Sequence, residues 1–324
     1  MRARLFAAVL TAMSLACGSA TAQVYPSRPI TMIVPYPAGG VTDGLARMLV
    51  EHMRSSLKQP IIIENVSGGV GNIATGRAVR AAADGYTTLL GNMETNVLNG
   101  ATHTLTYDVV NDFDPVILMP SYPFLIVSKN AVPAKDLKEL VAWVKANADK
   151  VSQGTVGTAS AQHLCGIYLQ QTIGARWQFV PYRGGAPAMQ DMLAGQFDLM
   201  CTASGSFLPL VRNNQIRAYA VTAKTRLGGA PDIPTVDEAG MPGIYLAVWN
   251  ALFVPKGTPK DAVAKLNAAA ADAMADPALH QKIIDMGLDI PPRDQQTPEA
   301  LAAFQKAEVE KWWPIIKAVN FKAE

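Results

Sequence analysis

Five short stretches of this chain collect glycine, serine, threonine and asparagine where an apolar run ends: residues 36–40, 65–71, 91–96, 158–162 and 201–206. Together those residue types can do one kind of chemistry. Glycine lets the backbone approach a ligand closely. A helix that starts just after such a loop presents unpaired N–H groups and the positive end of its dipole. Several helix starts aimed at one crevice hold an anion without lysine or arginine. Each loop on its own is equally well an ordinary turn. Five of them at one topological end of an open α/β sheet, where ligand crevices form, read as an anion-binding cleft.

Other chemistries fit less well. Ser160 and His163 are three residues apart and can meet on one helical turn, which makes an exported serine hydrolase the enzymatic alternative. No GxSxG surrounds the serine. His163 reads either as a ligand donor or as a capping and packing residue. Gly68-Gly69-Val70-Gly71 has no lysine after it and is not GxGxxG, so a nucleotide loop is not expected. His52, His103, His163 and His280 are scattered, with no CxxC and no HExxH, so neither a metal site nor a resident cofactor is expected. Glu94 is the acid in the 91–96 loop. Facing a cleft, it would repel a second ligand carboxylate or accept a hydrogen bond from a donor; a solvated position is the simpler expectation.

The elements that must position these loops alternate short apolar strands with helical stretches, the pattern of α/β lobes. Residues 30–36 read as a strand. Thr42 or Asp43 can cap a helix in which Leu45, Leu49, Met53 and Leu57 form one apolar stripe. Residues 61–63 read as a buried strand and 87–90 as another. Residues 115–119 and 124–127 read as two strands broken by Pro120-Ser121-Tyr122-Pro123, a crossover rather than a normal loop. A second α/β series follows, with strands at 154–157, 177–182, 197–201 and 216–222 and helices from Leu137, Gln162 and Ala186. The apolar run 245–254 could cross back to the first series. Helices are expected at 259–275 and after Thr297, with Pro298 in the first turn.

Composition places the chain outside the cytoplasm and away from nucleic acid. Arg2 and Arg4, an apolar run over 5–16, and Ala20-Thr21-Ala22 have the three-part layout of a secretory signal peptide, residues 1–22, with Gln23 as the new N-terminus. Cys17 offers a rival reading as a lipid anchor. The run is shorter than the roughly 20 residues a bilayer span needs. Losing the two leader arginines leaves the 26 acidic residues balanced by as many basic ones. A neutral chain without a basic cluster is not a nucleic-acid binder. Beyond the leader Cys165 and Cys201 remain; two separate buried thiols are the expectation, and a disulfide the alternative in an oxidising compartment.

Pro35-Tyr36-Pro37-Ala38-Gly39-Gly40 with Asp43 and Ala46-Arg47 resembles the opening of the Bug-type substrate-binding proteins of tripartite tricarboxylate transporters. Glu64-Asn65 before the glycines, Asp84-Gly85-Tyr86-Thr87, Asp112-Phe113-Asp114-Pro115-Val116, His163-Leu164 and Val180-Pro181-Tyr182-Arg183-Gly184 are similar to the same family. So are Pro187-Ala188, Ala220-Val221-Thr222, Pro231-Asp232-Ile233-Pro234-Thr235, Glu238-Ala239-Gly240 and Ala273-Asp276-Pro277. They run in the family's order over nearly the whole mature chain.

The resemblance implies an α/β, two-lobed periplasmic binding protein of type II, with a crossed-strand hinge. Lobe 1 would hold residues 23–120 plus 250–324 and lobe 2 residues 121–249. One ligand carboxylate would meet Tyr36, Ala38, Gly39, Gly40 and Asp43, and the loop of Gly91, Asn92 and Met93. The other end would meet Thr158, Ala159, Ser160 and His163 and the turn of Thr202, Ala203 and Ser204. With an anion site on each lobe, a dicarboxylate is favoured, aliphatic or aromatic. The expected partners are that organic acid and inner-membrane transporter subunits, with the receptor a monomer; a sensor for a membrane kinase is the alternative. Bulky side chains at Gly40 or Ser204 would then abolish binding and spare the fold. The chain departs from the family at Met93-Glu94-Thr95, where small hydroxyl residues are usual, at the small polar turn 201–205, and at Asn65-Val66-Ser67, which lacks an Arg-Pro pair.

Overall fold

The structure is a computed structural model that describes residues 24–157 and 160–318. The expected signal peptide, residues 1–22, lies outside the described residues, as do Gln23, Thr158, Ala159 and residues 319–324. Strand β1 (Ile30–Val34) pairs in parallel with β2 (Ile61–Asn65) on one side and β3 (Thr87–Asn92) on the other. Helix α1 (Val41–Leu57) joins β1 to β2, and α2 (Asn72–Val79) joins β2 to β3. Leu45, Leu49, Met53 and Leu57 all face inward, as their four-residue spacing predicts. Residues 61–63 are not a buried strand: β2 is the edge of the sheet and Ile62 is 51% exposed.

A 17-residue strand, β4 (Phe113–Lys129), replaces the two expected strands. Proline cannot donate to a ladder, so an uninterrupted strand through Pro115, Pro120 and Pro123 looks unfavourable from sequence. Bulges resolve the conflict. The register of β4 against β9 (Ala247–Pro255) shifts between Pro115 and Ile117 and again between Met119 and Ser121. The first part of β4 therefore joins β9 to the sheet of β1–β3. Past Pro123 it joins β7 (Leu199–Ala203) and β8 (Ile216–Val221). The parallel strands β5 (Ser152–Thr155) and β6 (Gln178–Pro181) extend that second half beyond β7. The nine strands of the described residues thus form one mixed, curled sheet, carried from half to half by β4 and β9.

Helices cover both faces of the second half: α4 (Leu137–Ala146), α5 (Ala161–Ile173), α6 (Gly185–Leu193) and α7 (Ser204–Arg212). The four-residue helix α3 (Asn99–Thr102) follows a π-type turn, Glu94–Leu98. Helices α8 (Lys260–Ala275), α9 (Pro277–Asp285) and α10 (Pro298–Ala318) pack on the first half. On β4 the alternation is plain. Phe124 and Ile126 belong to the large core that runs through both halves, while Leu125 and Val127 belong to a second core with Met200, Phe207 and Ile216. Cys165 on α5 and Cys201 on β7 are disulfide-bonded, with Cα atoms 6.2 Å apart. Two separate thiols were the expectation; α5 lies directly on β7, so two apolar-facing cysteines meet there.

Candidate functional site

The loop after β1 is built from below. Helix α1 begins at Val41 with Gly40 as its N-cap, so no side chain caps its first turn. Neither Thr42 nor Asp43 is the cap. Asp43 instead sits in the first turn, 2% exposed, and reaches back to the Gly39 N–H at 2.9 Å. Gly39 takes the left-handed φ of 88° that this reversal needs. The same carboxylate accepts from Arg47 Nε (2.9 Å) and Nη2 (3.0 Å) and from Asn65 Nδ2 (2.9 Å). Asn65 Nδ2 also donates to the Tyr36 carbonyl at 3.1 Å. Burial works against the charge on Asp43, but the bonds from Arg47, Gly39 and Asn65 outweigh it and hold the carboxyl below its ordinary value. The backbone of Ala38, Gly39 and Gly40 is left exposed on this fastened base.

Tyr36 turns its hydroxyl inward. Asn92 Nδ2 donates to it at 2.8 Å, and it donates to Glu94 Oε2 at 2.7 Å. Asn92 Oδ1 accepts from the backbone N–H groups of Glu94 and Thr95, which shapes the turn after β3. Glu94 is not on a solvated face: it is 5% exposed, and its Oε1 accepts the Ala161 N–H of α5 at 2.8 Å. Helix α5 belongs to the second half of the sheet and Glu94 to the first, so one carboxylate bridges them. The turn is held from behind by α10, where Gln305 Nε2 donates to the Asn96 carbonyl and Trp313 Nε1 to the Val97 carbonyl.

Burial raises the pKa of Glu94, opposed by the bonds from Ala161 and Tyr36. Tyr36 is pushed up by burial first and then by the charge of Glu94. Tyr122, buried on β4, is raised by burial and by the same charge. Thr42 Oγ1 donates to Asn250 Oδ1 at 3.3 Å, and Asn250 Nδ2 to the Pro120 carbonyl at 2.7 Å. These groups form a polar cluster beside the antiparallel pairing of β4 and β9.

A stability consequence follows from Glu94. Its folded pKa lies above the ordinary 4.5, so folding favours the neutral acid. Its contribution is therefore fully present below the ordinary value and is lost as pH rises through the folded one. Glu94→Gln removes this loss. At about pH 8 the ligand-free variant is expected to be more stable than the parent by on the order of 1 kcal/mol, and the gain should vanish near pH 4. Melting curves of both proteins across that range check this; a gain that is flat with pH would refute the assignment.

The other expected ligand residues fall into two groups. Ser160 is fully buried and caps α5, accepting the His163 N–H at 3.2 Å. The His163 ring edges onto Phe179 at 4.4 Å, and burial lowers its pKa. Ser160 Oγ and His163 are thus joined as a helix cap. Gly91 and Met93 point into the core: a Cβ on Gly91 would collide with the Asn96 side chain, and Met93 is fully buried. Thr202 and Ala203 pair with Leu125 and Phe124 in the sheet. Ser204 is buried and donates to the Gly287 carbonyl at 2.8 Å, so a bulky side chain there would disturb this packing instead of sparing the fold. Thr158 and Ala159 lie outside the described residues.

Glu94, Asn65, Tyr122 and Asn250 are the polar residues that sequence reasoning undervalued. One signal was available: Glu94 is the sole Asp, Glu, Lys or Arg between Asp84 and Asp108. A cavity of about 430 Å3 lies elsewhere, walled by Met119, Trp249, Phe304 and Trp312, and no expected ligand residue lines it. Among the described residues no cluster of potential metal ligands is present, and no helix is long and apolar enough to cross a membrane.

A curled mixed sheet in two halves, joined by crossing strands and bridged at their helix starts, is the architecture of a two-lobed periplasmic binding protein of type II. Residues 45–321 match the model of the tripartite tricarboxylate transporter family receptor. The chain belongs to that family of Bug-type solute-binding proteins. It is 36% identical over 98% of its length to the UPF0065 protein in the TAR-I ttuE-ttuC' intergenic region of Agrobacterium vitis, covering 91% of that relative. Among solved structures, the periplasmic binding protein BugD aligns with a TM-score of 0.86 at 36% identity, covering 93% of this chain and all of BugD. MatC of Rhodopseudomonas palustris, solved with bound malate, aligns with a TM-score of 0.84 at 34% identity, covering 90% of this chain and all of MatC.

Proposed function

We propose that this chain is exported through residues 1–22, captures a small organic acid between its two lobes, and delivers it to the membrane subunits of a tripartite tricarboxylate-type transporter. The observation that carries the reading is the exposed backbone of residues 38–40 at the start of α1. No side chain caps that helix start, and Asp43 and Asn65 fasten the loop from behind. Such a helix start suits a carboxylate. The malate bound by MatC supports the same ligand class. A division into 23–120 plus 250–324 and 121–249 agrees with β4 exchanging one set of partners for another near Pro123. Closure of the lobes would bury the acid and offer the transporter a surface that the open form lacks.

Gly40 has an ordinary φ of −80°, and a Cβ there would meet nothing nearer than the Pro37 carbonyl at 3.8 Å. Gly40→Val is therefore expected to fold with a melting temperature near that of the parent. It should lose about tenfold or more in carboxylate affinity. A thermal-shift screen of mono- and dicarboxylates identifies the ligand, and calorimetry on the variant then measures the loss. A stable variant with undiminished affinity would remove this loop from the site.

A further inference from the structure

We infer that Glu94 sets the ligand class: this receptor takes an acid that carries one carboxylate and, at its other end, a protonated amine, in preference to a dicarboxylate. The inference rests on the carboxylate-capture reading above and concerns the end of the ligand that faces α5.

Glu94 stands at the start of α5, the helix start that the second lobe would offer to another ligand carboxylate. At the start of α5 two of the backbone donors that a ligand anion could use are engaged. The Ala161 N–H is taken by Glu94 Oε1 at 2.8 Å and the His163 N–H by Ser160 Oγ at 3.2 Å. An incoming carboxylate would lose those donors and, with Glu94 ionised, meet a negative group as well. Like charges brought together in a desolvated site are strongly disfavoured.

A cation fits the same place. Among the described residues no Lys, Arg or His forms an ion pair with Glu94; the recorded pairs lie elsewhere. A carboxylate offers about four acceptor positions, and the Tyr36 hydroxyl and Ala161 N–H fill two. Buried charges are ordinarily paired, so this one lacks a counter-charge that a ligand ammonium can supply. A second buried acceptor follows Ala161 in the chain: Gln162 Oε1 has no hydrogen-bond partner among the described residues. Tyr36 bonds to Glu94 directly, and Tyr122 lies near enough to feel its charge. Aromatic rings beside an acid are favourable surroundings for an ammonium group. The acceptor and the aromatic rings are conditions for a donor, and neither helps a second anion.

The test compares ligands of matched length. Calorimetry on the purified protein would use γ-aminobutyrate against succinate, δ-aminovalerate against glutarate, and butyrate as the chain lacking a second polar end. The expected result is that at least one amino acid binds about tenfold or more tightly than both its dicarboxylate partner and butyrate. Glu94→Gln should erase that preference and improve dicarboxylate affinity by about tenfold. Tighter binding of succinate or glutarate to the parent protein overturns the inference and leaves the capture reading intact. Equal binding of butyrate and γ-aminobutyrate also overturns it. Failure of every carboxylate to bind overturns both readings. The ligand comparison on the parent protein decides the matter even if the variant does not fold.

Discussion

Replacing Cys165 and Cys201 together by alanine is expected to cost about 3–4 kcal/mol of unfolding free energy, the chain-entropy value for a closed loop of this size. The bond joins residues 36 apart and encloses β6, α6 and most of α5. Without it the unfolded chain regains that freedom, and α5 is tied to β7 by packing alone. A loss of this size corresponds to a fall in melting temperature of about 5–6 °C in a protein of this length. The site should respond as well. Cys165 lies one helical turn beyond Ala161, whose N–H holds Glu94. The disulfide thus fixes the helix start that Glu94 bridges. Calorimetric melting of the oxidised protein and the double variant measures the difference. A shift below about 1 °C would mean the bond contributes nothing to stability. Both cysteines are buried, at 1% and 0% exposure, so a thiol reductant should act slowly on the folded protein and quickly once it is partly unfolded.

How much of this was legible in the sequence depended on whether a feature is local. The apolar stripe of α1 was readable because Leu45, Leu49, Met53 and Leu57 repeat at the helical period. The N-terminal bound of that helix was misread. Thr42 and Asp43 are good capping types, but the reach of Asp43 back to Gly39 depends on Arg47 and Asn65, and Asn65 arrives from another strand. The continuity of β4 was hidden because three prolines argue against a strand, and only pairing with β9 shows where bulges absorb two of them. The disulfide was undecidable for a similar reason: burial of both cysteines is a composition argument, whereas their meeting is a matter of which helix covers which strand. Glu94 failed in the opposite direction. Acids are usually solvated, and that general expectation outweighed an isolated charge in a long uncharged stretch. Functional residues are where such expectations break, because a ligand can complete what the protein leaves unpaired.

Asp43→Ala carries the second large effect, in the loop after β1. The Asp43 carboxylate receives four hydrogen bonds, from Gly39, Arg47 twice and Asn65, while itself almost fully buried. Arg47 is mostly exposed and recovers water when the acid is removed. The Gly39 N–H and one Asn65 proton, both part-buried, lose their partner beneath the loop, and unmade bonds of such donors are what makes the truncation costly. We expect a loss of about 2–3 kcal/mol in stability. Carboxylate affinity should fall by about tenfold or more, because the exposed backbone of residues 38–40 would no longer be held in one arrangement. Asp43→Asn separates the two roles. It keeps the size and can still accept from Gly39, so it should lose less stability. Its amide cannot accept fully from both Arg47 and Asn65, so Tyr36 and the loop should still loosen. The charge leaves its own mark on pH dependence. Asp43 is held below its ordinary value of 3.8, so its stabilisation is present above that pH and lost as pH falls through the lower folded value. The stability gap between the parent protein and Asp43→Ala should be constant near neutrality and narrow in acid below about pH 4. Denaturant titrations at two pH values, paired with ligand calorimetry, read all three effects. An Asp43→Ala protein that unfolds like the parent and binds like the parent would show that the loop is held by something other than this carboxylate.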